Sequence, residues 1–225
     1  MFDFDSHPIL LAAGTGFFSG LMLSIPVGPV NLTIMNEGAR RGFRQAALIG
    51  LGATVMEVAY CALAFTGFAS IFGNLVLKAA MELFSFTFML YLGIRFLTAK
   101  SIPAANKVEE RIEKKLHPHS AFMIGLVRVM GNPGVLLFWI ILAANFLSRE
   151  WVEPNNRGKL ACVTGVALGT GLWFLGLSYA VSLGHKKFSE RTLLRMEHFS
   201  GVGMLVLALI HGVNIVWQMA RHHRM

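Results

Sequence analysis

The chain has 225 residues, 55% of them apolar and only 14% charged, with a formal net charge of +8. A soluble domain carries about 25% charged residues, so too few charges are present to wet a soluble surface, and a soluble globular fold is excluded. The charges are also segregated into short stretches, so the basic balance reads as membrane topology and contact with anionic lipid, not as nucleic-acid binding.

The N-terminal residues do not read as a signal peptide. Asp3 and Asp5 stand where a basic region would be needed, and no A-x-A-like site closes a short apolar core, so the first apolar segment is expected to be retained. Six segments are long enough to cross about 30 Å of hydrocarbon, which takes roughly 20 apolar residues in a helix. They are Ile9–Met35, Ala46–Phe72, Ala79–Leu97, Ala121–Leu147, Leu160–Leu183 and Phe199–Ala220. Their continuous apolar runs predict helices, because barrel strands alternate over about ten residues.

The first segment carries Pro26 and Pro29 on either side of Gly28, with Asn31 just beyond. Proline removes an N–H and clashes with the preceding turn, at about 3 kcal/mol in a helix interior. A broken helix is expected there, with freed backbone groups satisfied by protein or lining a wet cavity. The second segment contains one charge, Glu57, near its middle. A carboxylate at that depth costs about 2.5–3.5 kcal/mol on insertion scales and is a functional candidate by default. It is expected to be paired, to face water or to be protonated; its readings are proton coupling, binding of a substrate ammonium, or a structural ion pair with Arg128. The third segment is the shortest, with Glu82 and Arg95 near its ends.

The fourth segment has a second break at Gly131-Asn132-Pro133-Gly134, three residues after Arg128. Arg128 lies only about 10 Å of helix rise from Ala121, so snorkelling to the cytoplasmic face is favoured over pairing with Glu57 or binding a substrate carboxylate. Asn132 is expected either to hydrogen-bond a solute or to cap the broken helix. In the sixth segment His211 and Asn214 share a face at i, i+3, which fits interhelical hydrogen bonding. Cys61 and Cys162 fall mid-helix and read as buried small apolar residues. Trp139, Trp151, Trp173 and Trp217 need no role beyond packing or anchoring at the interface.

Lys and Arg divide by loop, 13 on the side of loops 1–2, 3–4 and 5–6 and 6 on the other. The side with 13 is expected to be cytoplasmic, which puts both termini outside, although the basic tail from Arg221 to Arg224 opposes this. The halves also resemble each other. Glu82, Phe84, Ser85, Met89, Leu90 and Leu92 repeat as Glu197, Phe199, Ser200, Met204, Leu205 and Leu207. Gly50, Gly52 and Tyr60 repeat as Gly169, Gly171 and Tyr179, and Gly20 with its break repeats as Gly125 with the other. Each unit holds three helices, so the second enters the membrane from the opposite side. The prediction is an all-α membrane protein of six transmembrane helices in two inverted repeats, residues 1–98 and 121–225, with broken first and fourth helices and a charged cytoplasmic loop over 99–120. In such repeats the solute site lies near the midplane at the repeat interface.

Nucleotide-binding, zincin and paired C-x-x-C signatures are absent, so no enzyme, cofactor or resident metal is predicted and any transport runs on an ion or solute gradient. Pro26-Val27-Gly28-Pro29-Val30-Asn31 resembles the first-helix motif of the LysE/RhtB-type amino acid exporters. Arg41-Gly42-Phe43 through Gly50-Leu51-Gly52-Ala53 to Glu57 resembles their glycine-rich second helix, Tyr91 to Arg95 the end of their third, and Gly125, Asn132-Pro133 and Phe138 their fourth. The resemblance implies proton-driven export of amino acids or close derivatives across the bacterial inner membrane. Protons, membrane lipid and a small zwitterionic solute are then the partners, and a homodimer is a candidate assembly. By position it places Pro26, Gly28, Pro29, Asn31, Glu57, Asn132 and Pro133 in the substrate or coupling region, with Arg128 beside it. Two positions depart from the family pattern, Glu57 where Asp is usual and Gly134 where Lys is usual. The competing readings are a metal or inorganic-ion exporter, which wants several midplane carboxylates or His side chains, and a membrane enzyme or assembly subunit without transport.

Overall fold

A computed structural model describes residues 8–67, 75–100, 120–183 and 190–222. The predicted loop over 99–120 falls mostly outside these residues, as do the side chains of Glu82, His211, Asn214 and Trp217. The described residues form eight α-helices: α1 Pro8–Ser24, α2 Pro29–Arg41, α3 Phe43–Gly67, α4 Leu75–Leu97, α5 Ala121–Met130, α6 Pro133–Ser148, α7 Asn156–Leu183 and α8 Glu190–His222.

Two of these, α3 and α7, are long and apolar enough to cross a membrane unaided. The pairs α1–α2 and α5–α6 pass the same test together but bend by 71° and 67°. Both bends fall where the sequence predicts a break. At the first, Pro26 removes a donor and biases Ile25 away from helical geometry, and Pro29 then opens α2 behind an extended Gly28. At the second, Pro133 opens α6 in the same way behind Asn132. The turn from α2 to α3 is made by Gly42, whose φ of 81° suits glycine, with its N–H donating to the Gly38 carbonyl. α5 starts on Ser120, whose hydroxyl accepts from the Met123 N–H at 3.2 Å.

The helices cross at glycines, and the crossings come in matched pairs. α1 packs closely on α7, where a Cβ at Gly20 would strike the Val166 carbonyl and one at Gly169 would strike the backbone of Phe17 and Leu21. α3 meets α5 in the same manner, Gly125 against the Ile49 carbonyl and Gly52 against the backbone of Phe122 and Leu126. Backbones this close gain dispersion contact that side chains would block. The contacts match Gly52 with Gly169, whereas sequence identity aligns Gly50 with Gly169; Gly50 instead meets Phe174. α4 and α8 pair through Gly93 against Leu205 and Gly201 against Leu97. Cys61 and Cys162 are both fully buried free thiols.

Candidate functional site: a cavity at the two helix breaks

Each break frees backbone groups, and side chains from elsewhere take them up. At the first, the Asn31 amide donates to the Ser24 carbonyl at 2.8 Å and the Pro26 carbonyl at 2.7 Å. Its own oxygen accepts from the Trp173 indole N–H at 3.2 Å. The Val27 N–H donates to the Glu197 carboxylate of α8 at 2.8 Å. At the second break the Tyr60 hydroxyl donates to the Met130 carbonyl at 3.0 Å, and the Asn132 side chain accepts from the Gly134 N–H at 3.1 Å. Of the two roles open to Asn132, the cap is therefore made.

Both breaks open on one cavity of about 390 Å³. Pro26, Gly28, Pro29, Asn31, Glu57, Arg128 and Asn132 all border it. Pro133 does not, but its neighbours Asn132 and Gly134 do. Arg128, for which the sequence favours snorkelling to the cytoplasmic face, borders the cavity; it sits in the last turn of α5, where the helix dipole favours a cation. Glu57 is 6% exposed, and its carboxylate accepts from the Trp139 indole N–H.

Four site residues escape the sequence reading. Glu197, 2% exposed, and Arg95 both border the cavity. The sixth apolar run begins at Phe199, so Glu197 falls just outside the predicted span, although its match to Glu82 in the repeat marks it. Trp139 and Trp173, predicted to do no more than pack or anchor, donate to Glu57 and Asn31. The cavity thus carries two carboxylates, Glu57 and Glu197, and two guanidinium groups, Arg95 and Arg128. Phe88, Tyr91, Phe96, Phe138 and Phe174 supply aromatic wall. Opposite charges on an apolar wall can hold a small molecule that itself bears both signs.

The LysE type translocator model matches residues 21–213, from within α1 to within α8. The chain belongs to the LysE type translocator family. It is 26% identical over 200 residues to the Bacillus subtilis (strain 168) protein named "Putative amino acid efflux protein YcgF", covering 89% of this chain and 94% of that one. It is 24% identical over 191 residues to the Pseudomonas aeruginosa "Chemotactic transduction protein ChpE", covering 84% and 91%. No solved structure matches. The translocator is thus a transmembrane transporter and not an enzyme.

Proposed function

We propose that this translocator exports amino acids or small derivatives from the bacterial cytoplasm across the inner membrane, using protons that enter. The observation carrying the reading is the cavity, where Glu57 and Arg128 offer opposite charges between two mirrored helix breaks. In this scheme Arg128 takes the solute carboxylate, Glu57 exchanges a proton or holds the ammonium, and the aromatic wall meets the side chain. The name of the Bacillus subtilis relative points the same way. The scheme treats α1–α2, α3, α4, α5–α6, α7 and α8 as six spans in two inverted halves, 1–98 and 121–225, with both termini outside. The matched glycine crossings of α1 with α7 and α5 with α3 support that arrangement, because exchanging the halves turns one crossing into the other. Among the described residues no group of three His, Cys, Asp or Glu side chains is placed to hold a metal ion, so nothing there favours the ion-export reading.

The test loads proteoliposomes with a panel of labelled amino acids and imposes an inward proton gradient. Gradient-stimulated efflux of at least one is expected, and loss of that stimulation in Glu57→Gln. Stimulation undiminished in Glu57→Gln would remove the coupling role, and no efflux of any amino acid would remove the substrate class.

A further inference from the structure

Among the described residues, α8 shares an extensive packing face with α4 and with no other helix. The remaining helices pack closely on one another, α1 on α7, and α3 on α2, α5, α6 and α7. Among the described residues these helices form a core and α4 and α8 a pair; the two meet where α4 packs more lightly on α6, with the Phe88 and Phe138 rings 6.0 Å apart, and the cavity lies between them. Leu23 to Asn31, Glu57 and Arg128 line it from the core, and Phe88 to Phe96, Glu197 and Met204 from the pair. Contacts from α8 to the core run through side chains. Met22 of α1 packs against Gly203 of α8, and the Glu197 carboxylate accepts from the Val27 N–H at 2.8 Å. Within the break the Gly28 N–H donates to the Pro26 carbonyl at 2.9 Å, whereas the Val27 N–H reaches across to α8 for its acceptor.

We propose that the Glu197 carboxylate is a latch that clips the α4–α8 pair to the broken helix, and that protonating it lets the pair swing away and widens access to the cavity. A charged acceptor makes a hydrogen bond roughly twice as strong as a neutral one, so one proton added to the carboxylate weakens the clip without any other change. The surrounding charges divide cleanly between the two bodies. Arg95 on α4 and His198 on α8 interact with Glu197 and travel with it, and the His198 ring sits 3.0 Å from the Ala99 carbonyl at the end of α4. Glu57 on α3 and Arg128 on α5 face the latch across the cavity and stay with the core. Among the described residues, the Val27 contact is the one that pairs a titratable group of the pair with a backbone donor of the core. The latch is separate from the identity of the solute and from the role given to Glu57.

The experiment needs no transported substrate. Gly28 borders the cavity, and a Cβ there meets nothing within 4 Å, so Gly28→Cys supplies a thiol for labelling with a membrane-impermeant maleimide in the full-length protein in proteoliposomes. Cys61 and Cys162 are 0% exposed and form the background. Glu197→Gln is added, and the labelling rate is compared with and without it from pH 6 to pH 9, a ratio that cancels the ionisation of the reporter thiol. Glu197→Gln is expected to label about tenfold faster at the alkaline end, the size of effect that follows from losing a charged acceptor, with the ratio falling toward one as the pH drops. Glu197→Asp keeps the charge and shortens the reach, so its labelling-rate ratio to the parent should lie above one at the alkaline end and should also fall toward one as the pH drops. A ratio near one throughout, or a raised ratio that does not change with pH, overturns the latch. Should Glu197→Gln fail to reach the membrane, Glu197→Asp decides alone, and a rate and pH profile matching the parent overturn it.

Discussion

Replacing Asn31 by alanine breaks three hydrogen bonds: the Ser24 carbonyl and the Trp173 indole N–H lose this partner, while the Pro26 carbonyl keeps the Gly28 N–H at 2.9 Å. Asn31 is 2% exposed and Ser24 4%, and both border the cavity, so little water is at hand to replace a lost bond. At about 1 kcal/mol for each of the two groups left unsatisfied, the low end for such a group, the loss comes to about 2 kcal/mol. At 2–4 °C per kcal/mol for a chain of this size, Tm should fall by on the order of 4–8 °C. Thermal unfolding in detergent, followed by fluorescence-detected size exclusion, measures it. Trp173→Phe alone removes one of the three bonds, so its effect and that of Asn31→Ala should not add, because they share that bond. A fall in Tm of less than about 2 °C for Asn31→Ala, or full additivity with Trp173→Phe, would refute the claim that this asparagine holds the broken helix.

Glycine substitutions should sort by what faces them. Gly16→Ala and Gly125→Ala drive a methyl into a neighbouring backbone and should cost about 1–3 kcal/mol, whereas Gly14→Ala and Gly176→Ala face open space and should be neutral or mildly stabilising by the same unfolding assay. Trp139→Phe keeps the ring and deletes the donor to Glu57, and should lower stability by about 1.5–3 kcal/mol, the range for a bond to a charged group. Arg128→Gln should raise KM for an exported amino acid tenfold or more in proteoliposome efflux, and an unchanged KM would show that this guanidinium does not hold the solute.

The breaks are legible in the sequence because proline carries its consequence locally: a missing N–H and a fixed φ act wherever the residue stands. Pro26, Pro29 and Pro133 therefore bend the chain where they are read to bend it. Glu57 is legible for a similar reason, since one carboxylate in a long apolar run needs an explanation that no neighbour in sequence supplies. Glu197 hides because hydropathy measures a run and not a helix. α8 begins at Glu190, well before the apolar run starts, so a residue inside the helix looks like one in a loop. The roles of Trp139 and Trp173 depend on where an indole N–H points after three helices have packed, which no local pattern encodes. Helix rise from Ala121 speaks to the depth of Arg128, but that its side chain borders a cavity shared by both breaks emerges only once the helices have packed. The glycine register differs by two residues because identity aligns residue types, whereas close approach selects positions on a crossing.

Phe88, Tyr91, Leu92 and Phe96 reach the cavity from α4, a helix whose principal neighbour is α8 and not the core. That stretch of the cavity wall is therefore carried on a separate part from the asparagine braces and glycine crossings beside the two breaks. On the proposed reading, changing a ring or a methyl on that face alters which cargo fits without disturbing Glu57 and Arg128. A lineage built on this plan can diversify in what it carries by editing a few positions on one helix, while the machinery that moves the cargo stays as it is.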